Sequence, residues 1–358
     1  MEAQLAAAGF GDITWPENLV LLGSYLRRHA VLDLPQELGL GPETTDELAG
    51  KLIQRGYLGP DGATDRGRRA LLSTMVIVRA DRWKALRFRP DDIVVSAQVK
   101  SGTTWLQMIC ALLVFQQPDL AAPLSVLSPW LDGPDDRRDD VLALLEGQQH
   151  RRFIKTHSPL SDITRSPQAT YIAVGRHPLD AAISLYHQRA NMLDRETGEA
   201  RSSEHRDPPR EWLLKWLQKE TRPPVPPDSL AGMLRHMSSA WALRHERNVV
   251  LLHYDELAAD LTGQMRYLAQ RLDITVPETA LPELVKAATF DQMRDAAGRI
   301  KPLGGVLADD SAFFRSGRSG SGTELLTDDE LAGYYERAAQ ELPPDLLVWL
   351  HGRCSRCT

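Results

Sequence analysis

Apolar positions in the first 85 residues of the chain recur at helical spacing. One predicted helix has its apolar face at residues 19–26, a second spans Thr45–Arg55 and ends at Gly56, and a third runs over Thr64–Leu72. A turn at residues 59–62 precedes the third helix. Helix, turn, helix and a compact hairpin-like segment resemble a winged-helix unit. The alternative is a helical extension that packs on the main domain or makes a dimer.

From about Arg87 the pattern changes to short, unbroken apolar runs that alternate with helices. The predicted strands cover residues 92–96, 153–154, 171–174 and 248–254, and the predicted helices cover residues 103–115, 179–191 and 257–272. Continuous apolar strands between helices are typical of a parallel sheet covered on both faces. The sequence therefore predicts an α/β fold with a central parallel sheet flanked by helices over residues 86–358, behind a helical N-terminal domain over residues 1–85.

Residues 201–229 interrupt this alternation. Six prolines surround an amphipathic piece at Glu211–Glu220. This composition predicts an exposed excursion of the chain. A lid over the acceptor site and a plain surface insertion are its two interpretations.

Composition narrows the classes of function. The chain has 358 residues, of which 42% are hydrophobic and 25% charged, as in ordinary soluble proteins with a core. A net charge of -6 argues against nucleic acid as the main partner. No apolar run is long enough to cross a membrane, and the start of the chain, with Glu2 and Asp12, does not resemble a secretion signal. We therefore expect neither a nucleic-acid nor a membrane partner.

The cysteines bear on compartment and on metal binding. An odd number of cysteines (Cys110, Cys354 and Cys357) suits a reducing cytoplasm better than a disulfide framework, so a cytoplasmic location is expected. His351, Cys354 and Cys357 have a spacing that permits three metal ligands, but no fourth ligand follows nearby. A fraying terminus is the better interpretation, and no metal is expected.

The residues after the first predicted strand favour phosphate binding. They are Lys100, Ser101, Gly102, Thr103, Thr104 and Trp105. They open a helix whose free N–H groups and positive dipole end attract an anion, and the glycine permits close approach of the backbone. A Walker A loop needs a glycine before the lysine, and residues 96–99 supply none, so an ATP-type loop is a poor match.

The same string resembles the 5'-phosphosulfate loop of the cytosolic sulfotransferase family. Five further segments resemble that family in its order, namely Lys155-Thr156-His157, Arg176–Asp180 with Ser184, Tyr254, residues 289–293 with Phe290 and Met293, and residues 314–320 with Arg315, Ser316 and Gly317. Together they cover residues 90–325. The resemblance implies a P-loop-like enzyme that moves a sulfuryl group from PAPS (3'-phosphoadenosine 5'-phosphosulfate) to a hydroxyl or amine of a small-molecule acceptor. PAP (3',5'-bisphosphoadenosine) is released.

The resemblance also implies a role for each matched residue. His157 is the general base, because an imidazole titrates near neutral pH. Lys155 and Lys100 stabilise the sulfuryl and bridging oxygens, and Ser184 holds Lys100 away until the acceptor arrives. The donor nucleotide is bound by Ser101, Gly102, Thr103, Thr104, Trp105, Arg176, Tyr254, Phe290, Met293, Arg315, Ser316 and Gly317. Arg176 and Arg315 suit the 3'-phosphate, since a guanidinium grips it with two parallel bonds, while Trp105 and Phe290 stack on adenine.

Three positions depart from the family pattern. Val99 stands where the family commonly has proline, Ser316 replaces a lysine, and Ser321-Gly322 replace an Asp-Trp pair. Weaker donor binding or a different acceptor-side wall is the expected consequence.

Two other functions compete with this interpretation. A nucleotide-dependent kinase requires the missing Walker A glycine and a magnesium site. A regulator with a DNA-binding N-terminal segment requires a more basic segment than this one. The acceptor and the oligomeric state stay open. A homodimer is one expectation, and a bacterial small-molecule or natural-product pathway is another.

Overall fold

Residues 2–27, 41–60, 62–133, 138–193 and 207–352 are described by the computed structural model. The N-terminal part contains α1 (Glu2–Ala7), α2 (Trp15–Arg27), α3 (Pro42–Gln54), the hairpin strands β1 (Leu58–Gly59) and β2 (Gly62–Ala63), and α4 (Asp65–Ala85). Leu21, Leu52, Tyr57 and Leu71 form its core. This part therefore buries an apolar cluster of its own.

The helix predicted to open at Thr64 is confirmed at its start and was predicted too short at its end. The Thr64 hydroxyl caps α4 by accepting a bond from the Gly67 N–H at 3.2 Å. The helix runs to Ala85 instead of Leu72, because no glycine or proline interrupts it. Its last turns bury Arg82 and Trp83 against the sheet domain, so α4 spans from the N-terminal core to the main sheet.

Within the described residues the central sheet has four parallel strands, as the apolar runs predict. These are β3 (Ile93–Ala97), β4 (Phe153–Thr156), β5 (Thr170–Gly175) and β6 (Val249–His253), in the order β4-β3-β5-β6. Alternate residues of β3 face opposite layers, with Ile93 and Val95 in one apolar core and Val94 in another. Both faces are covered, which explains the unbroken hydrophobicity of the strands.

The remaining helices flank this sheet. Their bounds are α5 Thr103–Phe115, α6 Leu124–Leu127, α7 Arg138–Gly147, α8 Pro178–Ala190, α9 Pro209–Gln218, α10 Leu230–Ala242, α11 Tyr254–Ala259, α12 Leu261–Arg271, α13 Leu281–Ala287, α14 Phe290–Asp295, α15 Ala297–Ile300, α16 Asp328–Glu341 and α17 Pro344–His351. None of the helices within the described ranges is long and apolar enough to cross a bilayer.

One predicted element divides into two. The helix expected over residues 257–272 consists of α11 and α12, which meet at Asp260. The Asp260 carboxylate accepts a bond from the Gly263 N–H at 2.8 Å and so caps a new helix. Tyr254 likewise begins α11 and does not end β6, which places its ring at the carboxyl edge of the sheet.

Candidate active site

The loop after β3 makes a tight turn into α5. Lys100 and Gly102 both have positive φ angles, of 66° and 100°. A Cβ atom on Gly102 would lie 3.1 Å from the Tyr254 ring, so the glycine permits close contact there. Ser101 is fully buried, and its hydroxyl oxygen has no partner among the described residues. An unsatisfied buried hydroxyl at a helix start fits a site that receives an anion.

Arg176, at the end of β5, connects the loops around this turn. Its guanidinium donates to the carbonyl oxygen of Lys100 at 3.1 Å and to that of Arg318 at 3.2 Å. It also lies over the Tyr254 ring, 4.1 Å from the ring centre. The side chain is 8% exposed, and its buried Nε has no described partner. A positioned guanidinium with an unused donor is suited to an oxyanion.

The segment at residues 314–320 packs beside Arg176 and the turn after β3. Gly317 has a φ of 62°, and a Cβ atom there would lie 2.7 Å from the Phe290 ring. The N–H of Gly320 donates to the buried Asp180 carboxylate at 2.8 Å, so it is already used within the protein. Arg315 and Ser316 are exposed beside it. Desolvation of its guanidinium and the charges of Arg176 and Arg318 lower the pKa of Arg315, although the residue as a whole is exposed.

Aromatic rings surround the turn on its other side. The Trp105 indole N–H donates to the Ala288 carbonyl at 2.8 Å, and the indole packs edge-on against Tyr254 at 5.4 Å. Phe290 begins α14, and Met293 on the same helix is buried in the core. Burial raises the pKa of Tyr254. These rings offer flat apolar surface next to the anion-binding turn.

The segment Lys155-Thr156-His157 continues β4 beside the turn. The Nδ1 of His157 lies 2.7 Å from the carbonyl oxygen of Ala97, which accepts a hydrogen bond from the Nδ1–H group. No described residue forms a hydrogen bond with Nε2. The Lys155 ammonium lies 4.5 Å from the centre of the Trp130 ring, and the His157 ring meets the same indole edge-on at 4.9 Å. Trp130 thus contacts both candidate catalytic groups.

A buried carboxylate, that of Asp132, forms hydrogen bonds with the residues around His157. Asp132 accepts bonds from the hydroxyls of Thr156 and Ser158, both at 2.6 Å, and from the indole N–H groups of Trp130 at 2.9 Å and Trp83 at 3.0 Å. It is 1% exposed. Because Thr156 and Ser158 flank His157, Asp132 fixes the backbone on both sides of the candidate base.

Positive charge is concentrated at this site. Burial and the charges of Arg176 and Lys155 lower the pKa of Lys100 to about 7. Burial lowers the pKa of Lys155 to about 8, although the Asp132 carboxylate acts in the opposite direction. Burial and Lys155 lower the pKa of His157 well below its ordinary value, so its imidazole is neutral near pH 7. Mutually repelling cations of this kind suit a multiply charged anion.

Lys100 and Ser184 are not joined in this structure. The Lys100 ammonium lies 3.9 Å from the centre of the Phe313 ring, a cation–π contact. Ser184 lies half-buried on α8, and no hydrogen bond within the described part of the chain joins it to Lys100. The restraining role implied for Ser184 stays a prediction. Thr103 and Thr104 are buried in the first turn of α5, near the anion-binding turn.

A cleft opens next to His157. Its walls come from α4, from residues 224–227 of the proline-rich segment and from α10. On α10, the His236 Nε2 lies 3.1 Å from the Ser96 hydroxyl oxygen, and that hydroxyl donates to the Ser158 carbonyl at 3.1 Å. The proline-rich segment therefore borders the candidate base, as a wall of an acceptor site would. Residues 201–206 of the same excursion lie outside the described residues.

Several residues of the site were not singled out from the sequence. They are Arg79, Trp130, Asp132, Phe313 and His236. Packing of the fold brings each of them beside residues that are distant in the chain, and no short motif marks it. Asp180 was named from the sequence within the Arg176–Asp180 segment but without a role of its own, and its carboxylate accepts bonds from the N–H groups of Gly320 and Gly322.

The terminal histidine has a structural environment. The His351 ring bonds to the Tyr334 hydroxyl at 2.6 Å and to the Leu347 carbonyl at 2.7 Å. Cys354 and Cys357 lie outside the described residues. Within the described ranges, no three His, Cys, Asp or Glu side chains gather in a metal-binding group.

The chain is similar in sequence to known sulfotransferases. A sequence model described as a sulfotransferase domain matches residues 90–342. A glycolipid sulfotransferase of Mycobacterium bovis is 39% identical over 302 residues, which cover 75% of this chain and 90% of the relative.

Two solved structures share the fold. A mouse sulfotransferase complexed with PAP has a TM-score of 0.59 at 19% identity and covers 77% of this chain and 93% of its own. A retinol dehydratase in complex with androsterone and PAP has a TM-score of 0.59 at 20% identity, covering 88% of this chain and 97% of its own.

Proposed function

The chain belongs to the sulfotransferase family, and we propose that it moves a sulfuryl group from PAPS to a hydroxyl of a small amphiphilic acceptor. His157 is the general base of this reaction, and PAP is the product released. The observation that carries the proposal is the free Nε2 of His157, held beside Lys155 and the anion-binding turn by the bond from Nδ1 to the Ala97 carbonyl.

The residues present suit the donor. The unpartnered Ser101 hydroxyl and the unpartnered Arg176 Nε are both buried at the turn where phosphate groups would bind. The 3'-phosphate and the 5'-phosphosulfate of PAPS require positive charge around them. The site supplies it from Lys100, Lys155, Arg176 and Arg315. PAP, as named in the two solved structures, supports the same donor.

The reaction balances on groups that the chain supplies. The acceptor hydroxyl gives its proton to the His157 Nε2 while its oxygen bonds to the sulfur. The bond between sulfur and the bridging oxygen breaks, and that oxygen keeps the electron pair as part of PAP. Lys155 and Lys100 stabilise the negative charge that grows on the leaving group. The protein thus contributes position, charge and a proton acceptor.

The acceptor is proposed from the cleft and from a relative. Apolar residues of α4 and of the proline-rich segment border His157, which favours an acceptor with an apolar part. The Mycobacterium bovis relative is a glycolipid sulfotransferase, and a glycolipid also combines an apolar part with hydroxyl groups. A kinase is disfavoured, because residues 96–99 hold no Walker A glycine.

Transfer of radiolabel from PAPS tests the proposal. Wild-type protein incubated with labelled PAPS and octyl glucoside, a simple hydroxyl-bearing amphiphile, is expected to yield a sulfated product. His157→Ala is expected to bind PAP normally and to lower product formation at least about a hundredfold, the scale of general-base catalysis. Comparable turnover by His157→Ala would contradict the assigned base.

A further inference from the structure

The cleft beside His157 has one wall that belongs to the N-terminal part of the chain. Helix α4 contributes Leu72, Met75, Val76 and Arg79. Pro224, Val225 and Pro227 form the opposite wall, and α10 closes the end with Arg235 and His236. The Trp83 indole on α4 also donates a hydrogen bond to Asp132, the carboxylate that positions the residues on both sides of His157. The N-terminal part therefore contributes to the site at two places.

The cleft contains two arginines in different states. The guanidinium of Arg235 donates to both carboxylate oxygens of Asp162, at 2.8 and 2.6 Å, so its charge is matched. Arg79 is half-buried, and no described residue forms an ion pair or hydrogen bond with it. Because Arg235 already pairs with Asp162, the half-buried guanidinium of Arg79 is left to pair with an anionic ligand.

We propose that Arg79 is an anion subsite of the acceptor pocket, and that the acceptor is an amphiphile carrying an oxyanion such as a carboxylate or phosphate. Its apolar part lies along Leu72, Met75 and Val225, its anionic group pairs with Arg79, and the hydroxyl to be sulfated faces His157. This inference rests on the proposed function and adds the chemical class of the acceptor.

The position of Arg79 relative to the candidate base agrees with this assignment. Its charge is the smallest of the influences that lower the pKa of His157, after burial, Lys155 and His236. A neutral acceptor leaves that unfavourable charge in place. An anion beside Arg79 offsets it, so an acidic acceptor makes His157 a stronger base as it binds. The subsite therefore couples recognition of the acceptor to its activation.

Calorimetric titration of the full chain loaded with PAP tests the subsite. The probes are octanoate, octyl phosphate and octanol, which share one alkyl chain and differ in the head group. Wild type is expected to bind the better of the two anions at least about tenfold more tightly than octanol, the value of a charge-assisted bond. The tighter of the two anions identifies the preferred head group.

Variants separate the subsite from general electrostatics. Arg79→Gln is expected to remove the preference for anions and to leave octanol binding within about twofold, while Arg79→Lys retains part of the preference. Arg68→Gln is the matched control, since it removes the same charge from the exposed face of α4, where Arg68 pairs with Asp65. It should leave all three affinities unchanged.

The outcomes distinguish the inference from its premise. Wild-type protein that binds PAP but shows no preference for the anions over octanol, or a preference that survives in Arg79→Gln, overturns the subsite alone. Failure of folded wild-type protein to bind PAP overturns the proposed function and the inference with it. Retained PAP affinity in Arg79→Gln shows that the variant is folded and that Arg79 does not act on the donor.

Discussion

The imidazole Nδ1 of His157 lies 2.7 Å from the carbonyl oxygen of Ala97, the last residue of β3. A carbonyl oxygen only accepts, so the neutral ring carries its proton on Nδ1 and presents the lone pair of Nε2 to the cleft. The strand that leads into the anion-binding turn therefore also sets the tautomer of the candidate base. The end of β3 therefore positions both the anion-binding turn and the candidate base.

The pH dependence of activity follows from the groups around this bond. Burial and Lys155 keep the pKa of His157 well below its ordinary value, so the base stays neutral down to moderately acidic pH. Burial lowers the pKa of Lys100 to about 7 and that of Lys155 to about 8, so both lose charge as pH rises. We expect kcat/KM to fall as pH rises through about 7 to 8.

Lys155→Arg provides the control for this profile. A guanidinium keeps its charge at alkaline pH, so part of the alkaline loss should move to higher pH. Activity of the wild type that increases steadily up to pH 9, the direction of a lysine acting as base, would contradict the assignment.

Asp132 is expected to control the rate of transfer more than donor binding. Asp132→Asn keeps the size of the side chain but replaces an acceptor oxygen with an NH2 group among four hydrogen-bond donors. The resulting shift of His157 should lower kcat about a hundredfold, since small misplacements cost that much, with PAP affinity nearly unchanged. Steady-state kinetics with calorimetry of PAP measure both quantities.

A matched surface variant shows whether such a loss is specific. Asp119→Asn breaks an exposed pair with Arg299 and should leave kcat unchanged. An equal fall in kcat and in PAP affinity for Asp132→Asn would indicate general unfolding, and unchanged kcat would refute the positioning role.

Gly317 tests the contact between the 314–320 segment and the Phe290 ring. In Gly317→Ala the new Cβ would lie 2.7 Å from the ring at a φ of 62°, so Phe290 must move. If this ring stacks on the adenine of the donor, PAP affinity should fall about tenfold, the value of a lost stacking contact. Calorimetry measures the change.

Gly305→Ala is the control for backbone strain alone. Gly305 also has a positive φ, of 92°, but nothing lies within 4 Å of its Cβ position. Each substitution should cost about 1 kcal/mol of stability from strain, but only Gly317→Ala should weaken PAP. Equal PAP affinity in the two variants would remove Phe290 from the nucleotide site.

Local patterns predicted the parallel sheet and most helix positions. The strands could be recognised because β3 and β5 are buried on both faces and read as continuous apolar runs. The anion-binding turn could be recognised because glycine, hydroxyls and lysine stand next to one another at a helix start. Helix ends were harder to predict. The true end of α4 depends on the burial of Trp83 against the sheet domain, and the division at Asp260 depends on one side-chain cap.

The support of the site could not be predicted from the sequence. Asp132 bonds to Trp83, Thr156 and Ser158, which are distant in the chain. Arg79 reaches the cleft only because α4 continues past the predicted end of the helix at Leu72. Long-range packing of this kind leaves no periodic or motif-level signal in a single sequence.

Calorimetric titration with PAP tests the central claim most directly. The account predicts that wild-type protein binds PAP in the micromolar range. Arg176→Ala removes the guanidinium and should weaken PAP binding at least about tenfold. Arg176→Lys replaces the guanidinium by an ammonium, which forms no two parallel bonds, and should retain part of the affinity. ATP and ADP should bind much more weakly than PAP. Arg210→Ala, which removes an exposed arginine paired with Glu330, should bind PAP like wild type. Folded wild-type protein that does not bind PAP, or that binds ATP as tightly, would contradict the assignment of the donor site.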